Sequence, residues 1–170
     1  MSRILVTGNP NYEGLCKGIY EAYNNNRVEF IGRHNGWDMN DAEKVANHAK
    51  DFDVFVNSLY GPDGQQNRIL EEVYKKFERG HIINISSTSS YWESGYSPQN
   101  YIDNKTLLDG LSKKMSNDSC WGNSEIKVSN ITSSVSPDEA TAPHQHVCGS
   151  RLLSRWCSDL AADCHVARIT

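Results

Sequence analysis

Two kinds of hydrophobic pattern alternate along the chain. Short runs rich in Val, Ile and other β-branched or aromatic residues are typical of buried strands, and longer segments with an apolar residue every three or four positions are typical of helices. The strand-like runs cover residues 3–7, 27–31, 53–59, 81–85, 125–132 and 166–169. The helical segments cover residues 14–23, 42–50, 65–77, 101–115 and 147–161.

This alternation predicts the fold class. Strands separated by helices form a parallel sheet whose connections cross over its faces. The expected architecture is therefore α/β, a doubly wound parallel sheet of the Rossmann-like kind in three layers, α/β/α. With 170 residues the chain is long enough for one domain with a substantial core, so we expect residues 1–170 to form a single domain.

Composition and charge exclude several classes of function. The net charge is −4 at pH 7 with acidic and basic residues interspersed, which argues against nucleic acid or an anionic membrane as a partner. No apolar run is long enough to span a membrane and no signal peptide precedes the first strand, so we expect a cytoplasmic protein. Five cysteines without a C-x-x-C pair fit reduced thiols in that compartment. His144 and His146 lack a third ligand at a recognisable spacing, so no metal site is expected.

Candidate chemistry follows the strand-like run at 81–85. Ser87 stands at the end of that run, and Tyr101 and Lys105 are four residues apart on one face of the next helix. An ammonium group beside a phenol favours the phenolate, which suits the phenol to donate and accept a proton. Ser87 would hydrogen-bond the same substrate oxygen, and Ser86 takes that role if the register slips by one. The helix is predicted from the spacing of Leu107, Leu108, Leu111 and Met115.

A second candidate site lies where the first strand ends. Thr7 and Gly8 are followed by the turn cluster Asn9-Pro10-Asn11 and then by a helix that begins near Gly14. A strand, a glycine-containing turn and a helix N-terminus together present backbone N–H groups to a pyrophosphate. The inward-facing residues of this helix are predicted to be Leu15, Ile19 and Ala22.

The order of these residues resembles that of the short-chain dehydrogenase/reductase family. Asn-Ile-Ser-Ser at 84–87, followed by Tyr101-x-x-x-Lys105, is similar to the family's catalytic segment, and Thr7, Gly8 and Gly14 fit its pattern T-G-x-x-x-G-x-G. The resemblance covers nearly the whole chain and implies that residues 1–170 form an NAD(P)-binding Rossmann domain. The other matches, in chain order, are Arg33, Asp38, Asn57 and Ser87.

The glycine loop departs from the family pattern. In the register without a gap, Tyr12 stands where the middle glycine belongs. Alternatively the loop has two extra residues, so that Gly14 and Leu15 replace the motif's Gly-Ile and Cys16 takes the place of its last glycine. Either register loses one glycine.

Three further departures affect the rest of the cofactor cleft. Ser58-Leu59-Tyr60 is bulkier than the family's residues after the first asparagine, and Ser133-Ser134 replaces Pro-Gly after the strand at 125–132. The asparagine of the family's catalytic tetrad has no match by motif. Gln66 or Asn67 would be a substitute, but the sequence assigns the role to neither.

The residues at the strand ends indicate the cofactor. No acidic residue occupies positions 32–34, and Arg33, helped by His34, suits the 2′-phosphate of NADP(H), which is therefore expected over NAD(H). Asp38 matches the family residue that contacts the adenine amino group, whereas Asp41 has the position of an N-cap for the helix at 42–50. Further contacts with the cofactor are expected from Thr7, Gly8, Asn9, Gly14, Leu15, Asn57, Ser58, Tyr101, Lys105 and Thr132.

The resemblance implies an NADP(H)-dependent oxidoreductase acting on a small carbonyl or alcohol substrate. In this role Tyr101 protonates the carbonyl oxygen, Lys105 favours the phenolate and binds the nicotinamide ribose, and Ser87 fixes the carbonyl. Pairing through the helices at 65–77 and 101–115 would give a homodimer or homotetramer. The alternative is a dinucleotide-binding sensor or scaffold without turnover, which the departures favour. An epimerase or dehydratase of the family's extended branch, which shares Tyr-x-x-x-Lys, ranks last.

Overall fold

Five parallel strands and four α-helices make up the described part of the chain. The computed structural model describes residues 2–11, 15–23, 27–59, 61–87, 97–121 and 125–133. The strands are β1 (Ile4–Thr7), β2 (Val28–Ile31), β3 (Val54–Asn57), β4 (Arg79–Ser87) and β5 (Glu125–Ser133). The helices are α1 (Leu15–Tyr23), α2 (Ala42–Ala49), α3 (Gln65–Lys76) and α4 (Gln99–Trp121), with a short 3₁₀ turn at Arg33–Asn35.

The strands form one sheet in the order β2-β1-β3-β4-β5, with every neighbouring pair parallel. The chain starts in β1, passes to β2 on one side, and then crosses to β3 on the other side of β1. The carboxyl ends of β1 and β3 therefore flank the point where the direction of winding reverses, which is where open α/β sheets bind ligands.

Helices cover both faces of this sheet. On one face Ile19 of α1 packs with Ile4 and Val6 of β1. The opposite face is covered by α2, α3 and α4, whose buried residues pack on Leu5 and Phe55. The predicted class, a Rossmann-like α/β/α fold with a doubly wound parallel sheet, is confirmed.

Most of the predicted elements agree with the observed ones. Five of the six strand-like runs are strands, and the helices predicted at 14–23, 42–50, 65–77 and 101–115 are α1 to α4. Asp41 caps α2, because its side chain accepts a hydrogen bond from the backbone N–H of Lys44 at 3.0 Å. The last predicted helix and strand, at 147–161 and 166–169, lie outside the described residues.

One predicted helix face, that of α1, and one predicted helix end, that of α4, are wrong in detail. Leu107 is 52% exposed, because it lies about 100° around α4 from the buried Leu108. Ala22 is also exposed, since α1 meets the sheet through its first two turns, where Ile19 is buried. Helix α4 also continues to Trp121, beyond its predicted end at residue 115. The buried Ser119, whose hydroxyl lies 3.1 Å from the Tyr74 hydroxyl, fixes this last turn of α4 against α3.

Candidate active site

Lys105 is buried at the carboxyl ends of β3 and β4. Helix α4 starts after Pro98, whose carbonyl accepts hydrogen bonds from the backbone N–H groups of Tyr101 and Ile102. One turn later the Lys105 side chain points inward and is only 6% exposed. Its Nζ lies 5.6 Å from the centre of the Tyr101 ring. The predicted pairing of Tyr101 with Lys105 on one helix face is therefore present.

The Lys105 ammonium group is held by two acceptors from neighbouring elements. Nζ donates to Oε1 of Gln66 and to the carbonyl of Ile85, both at 2.8 Å. Burial lowers the pKa of Lys105 to about 8, and the carboxylate of Asp109 acts in the opposite direction. The group is thus charged at neutral pH but loses its proton in mildly alkaline solution.

Gln66 is the site residue to which the sequence assigned no role. Its side chain is buried, and Nε2 donates to the carbonyls of Asn57 at 2.7 Å and Ile85 at 3.0 Å, while Oε1 receives Lys105. One amide therefore links β3, β4 and α4. The burial of Gln66 was indicated in the sequence. Gln66 and the buried apolar residues Ile69, Leu70 and Val73 have the spacing i, i+3, i+4, i+7, which places them on one face of α3.

Asn67 contributes to the same interface. It is 4% exposed, and its Nδ2 donates to the carbonyl of Asn104 on α4 at 3.1 Å. The two amides suggested by sequence as substitutes for the family's asparagine therefore have different partners. Only Gln66 contacts Lys105 directly.

A row of polar residues crosses the sheet beside this lysine. Thr7, Asn57, Asn84 and Asn130 are register partners on β1, β3, β4 and β5, and we call them the polar row. Nδ2 of Asn57 donates to Oδ1 of Asn84 at 3.1 Å, and Nδ2 of Asn84 donates to the Ser112 hydroxyl at 2.9 Å. The side chain of Asn57, predicted to line the cofactor cleft, is fully buried in these contacts.

The loop after β1 is held by Thr7 and Ser58. The Thr7 hydroxyl accepts hydrogen bonds from the backbone N–H groups of Ser58 at 3.0 Å and Leu59 at 3.1 Å. The Ser58 hydroxyl donates to the carbonyl of Thr7. Asn9 forms an Asx turn, since its Oδ1 accepts from the backbone N–H of Asn11 at 2.9 Å.

Gly8 needs to be glycine for two reasons. Its φ is +152°, and a Cβ atom there would collide with Sγ of Cys16 and approach Oγ of Ser58 to 3.2 Å. Cys16 therefore faces Gly8 from the start of α1, next to the half-buried Leu15. Burial raises the pKa of the Cys16 thiol, which keeps it neutral. Gly14, the predicted partner in this motif, lies outside the described residues.

A pocket of about 250 Å³ lies beyond the ends of β2 and β3, lined by Arg33, Asp38 and Leu59 among others. Arg33 and His34 form the exposed turn after β2. Asn35 stabilises this turn by accepting from the backbone N–H of Gly32 at 2.9 Å and donating to the carbonyl of Phe30 at 2.7 Å.

The two predicted aspartates have separate positions. Asp41 caps α2, whereas Asp38 lines the pocket, with one carboxylate oxygen held by the backbone and side-chain amides of Asn40 at 2.9 and 3.1 Å. Arg33 and Asp38 therefore line one cavity, and their predicted roles toward the 2′-phosphate and the adenine stay predictions.

The predicted substrate-facing hydroxyls lie at the ends of β4 and β5. Ser86 is 2% exposed, whereas Ser87, the last residue of β4, is half-buried. Thr132 is exposed on β5 and is the register partner of Ser86. The accessible hydroxyl at this strand end is thus that of Ser87, the residue preferred from the sequence.

No group of three His, Cys, Asp or Glu side chains that could hold a metal ion occurs among the described residues, and His144 and His146 lie outside them. Within the described ranges, none of the helices combines the length and apolar character needed to cross a bilayer.

Comparison with known proteins identifies the fold through structure alone. No protein-family model and no curated protein sequence matches the chain. A short-chain dehydrogenase/reductase from Brucella ovis, in complex with a partially ordered NAD, aligns with a TM-score of 0.64 and 14% identity over 95% of this chain and 93% of that chain. A short-chain dehydrogenase/reductase from Serratia marcescens has a TM-score of 0.64 and 19% identity over 94% and 88%.

A third solved structure contains the other nucleotide. It is a short chain dehydrogenase from Burkholderia cenocepacia in complex with NADP, which aligns with a TM-score of 0.61 and 16% identity over 84% of this chain and 76% of that chain. The chain thus has the fold of short-chain dehydrogenase/reductase structures, over most of its length and at low sequence identity.

Proposed function

We propose that this chain is a divergent short-chain dehydrogenase/reductase, an NADP(H)-dependent oxidoreductase for a small carbonyl or alcohol substrate. The observation that carries the proposal is the burial of Lys105 beside Tyr101, with its ammonium group bonded to Gln66 and to the end of β4. Burying a lysine is costly, and a purely structural position is more easily filled by an apolar side chain. A buried, oriented ammonium next to a phenol is a proton-transfer device.

The residues present fit a dinucleotide. Gly8 turns the chain after β1 with a φ of +152°, and Arg33 and Asp38 share a pocket beyond the adjacent strand ends. A helix N-terminus and the N–H groups of a tight turn favour a pyrophosphate. Arg33 without a neighbouring carboxylate at 32–34 favours the 2′-phosphate of NADP(H).

The chain's own residues have defined tasks in this function. When bound, NADP(H) supplies or accepts the hydride. The Oη atom of Tyr101 donates a proton to the substrate oxygen in reduction and removes it in oxidation. Lys105 stabilises the phenolate by its charge, and Ser87 orients the substrate oxygen with a hydrogen bond.

Nucleotide binding is tested by fluorescence of the four tryptophans during titration with NADPH and NADH. We expect tighter binding of NADPH, and we expect Arg33→Ala to remove the preference. Arg79→Ala is the matched control, since Arg79 is exposed at the amino end of β4, whereas the proposed nucleotide site lies at the carboxyl ends of the strands. Failure of both nucleotides to bind at millimolar concentration would contradict the proposal.

Turnover is tested with a panel of carbonyl compounds and Tyr101→Phe. Loss of a general acid typically lowers the rate by about 10²- to 10⁴-fold, so we expect a fall of that size in kcat with NADPH affinity retained. Tyr20→Phe is the control. Tyr20 is exposed and packs edge-on against Phe30, and it belongs to α1, which covers the opposite face of the sheet from α4. An unchanged kcat in Tyr101→Phe would exclude the assigned role.

One observation favours a second candidate, a dinucleotide-binding sensor or scaffold without turnover. Cys16 rather than a glycine faces Gly8, and its side chain fills space at the start of α1. NADPH binding without turnover of any compound in the panel would support this candidate over the enzyme.

A further inference from the structure

Three polar side chains on one face of α4 bond to helix α3 and to the strands β4 and β5. Lys105, Asp109 and Ser112 are spaced i, i+4, i+7, so they lie in one line along the helix. Lys105 donates to Gln66 and Ile85, and Ser112 accepts from Asn84. Because hydrogen bonds are directional, contacts at three points along this face fix both the rotation of α4 about its axis and its position along that axis.

The middle member of this line is a carboxylate. Oδ1 of Asp109 accepts a hydrogen bond from Nδ2 of Asn130, the polar-row residue on β5. Asp109 lies one turn from Lys105 and is half-buried, so its charge is only partly screened by water. Asn130 prevents this carboxylate from turning away toward solvent.

We propose that Asp109, anchored by Asn130, is a positioning residue for Lys105 that keeps the buried ammonium group charged. Burial alone disfavours the charged form of a lysine, and an opposite charge one helical turn away offsets part of that cost. The direction of the Asp109 contribution to the Lys105 pKa agrees with this arrangement. The catalytic importance of Asp109 rests on the proposed function, whereas its effect on the charge of Lys105 does not.

The other groups in contact with the Lys105 ammonium group are two uncharged hydrogen-bond acceptors and an aromatic ring. Helix α3 contributes the neutral amide of Gln66, β4 contributes the carbonyl of Ile85, and α4 contributes the Tyr101 ring. Strand β5 acts through the neutral amide of Asn130 on Asp109. Asp109 is therefore the group whose charge can be changed without removing a hydrogen bond to Lys105.

The test is an NMR titration of Lys105 in protein labelled with ¹³C at lysine Cε, with the signal assigned by its absence in Lys105→Arg. The wild-type midpoint is expected near the pKa of about 8. Asp109→Asn keeps an acceptor for Asn130 but removes the charge, so the midpoint should fall by about one pH unit. The matched control is Asp103→Asn, an exposed acid on the same helix bonded to Gln99, which should leave the midpoint unchanged.

A wild-type midpoint in Asp109→Asn, or an equal fall in Asp103→Asn, would overturn the inference. If Asp109→Asn does not fold, Asn130→Ala replaces it, since this change keeps the carboxylate but releases it from β5. A smaller fall in the midpoint is expected there, and an unchanged midpoint would likewise be contrary to the inference.

The titration requires neither nucleotide nor substrate, which separates this inference from the proposed function. A shifted midpoint in a protein that binds no nucleotide would support the inference and count against the enzyme. An unshifted midpoint in a protein that binds NADPH would overturn the inference and leave the proposed enzyme function standing. Where nucleotide does bind, the pH above which NADPH affinity declines should move down together with the Lys105 midpoint in Asp109→Asn.

Discussion

Two adjacent rows of the same sheet differ sharply in chemistry. Val6, Val56 and Ile83 are register partners that face α1, and we call them the apolar row. The next residue on each of these strands belongs to the polar row and faces α3 and α4. On these three strands both rows are buried, with exposure of 1% or less at Val6, Val56, Ile83, Thr7, Asn57 and Asn84, whereas Asn130 on β5 is half-buried.

The difference shows that burial has two uses in this sheet. The apolar row contributes stability through area removed from water, which depends little on direction. The polar row contributes little net stability, because each amide exchanges water for one or two internal partners. What it provides is direction, since its hydrogen bonds hold α4 in place, and α4 carries Lys105. The apolar row therefore supports the fold and the polar row supports the site.

The largest expected effect is that of Ile83→Ala in the apolar row. Removing this fully buried side chain leaves a cavity, and the free energy of unfolding should fall by about 2–5 kcal/mol in chemical denaturation. The Lys105 midpoint should not move, because Ile83 points to the other face. Ile83→Val is the control, with an expected loss of about 0.5–1.5 kcal/mol. A shifted midpoint in Ile83→Ala would show that the two faces are not independent.

Next in size is the pH dependence of stability caused by Lys105. The unfolded chain keeps this proton up to the ordinary pKa of 10.5, whereas the folded protein loses it near 8. Between these pH values unfolding takes up a proton, so the free energy of unfolding rises with pH, by about 3 kcal/mol at about 1.4 kcal/mol per pKa unit.

This rise should be absent in Lys105→Met, measured by denaturant unfolding at several pH values from 7 to about 10.5. The stability of the variant relative to wild type should therefore decline across the window. Parallel curves for the two proteins would mean that Lys105 titrates with the same pKa in the folded and unfolded states.

The smallest stability effect is expected for Asn84→Leu in the polar row. Leucine keeps the volume but leaves the Asn57 amide and the Ser112 hydroxyl each with one partner fewer, at a cost of about 1–3 kcal/mol. Unlike Ile83→Ala, this change should also shift the Lys105 midpoint, because α4 loses one of its three fixed points. A destabilised protein with an unaltered midpoint would remove the distinction between the rows.

Several features followed directly from local sequence. The period of the apolar residues predicted the fold and placed α1 to α4 and all five described strands, because each period reports which side of an element is buried. Asp41 as an N-cap needs only residues three positions apart. The spacing of Tyr101 and Lys105 likewise determined that they share a helix face. The cofactor and catalytic roles of these and the other site residues remain predictions.

Other features depended on residues that are distant in the chain. Gln66 binds Lys105 across 39 positions, and Asn84 binds Asn57 across 27. The spacing along α3 indicates that Gln66 is buried, but no local pattern identifies the partners of these amides, since the partners are set by strand register and by the packing of α3 on α4. The exposure of Leu107 has the same origin, because only the sheet decides which stripe of α4 is buried. Sequence periodicity determined the elements, whereas the partners of buried polar groups were decided by the tertiary structure, since a hydrogen bond depends on direction and position in a way that hydrophobic burial does not.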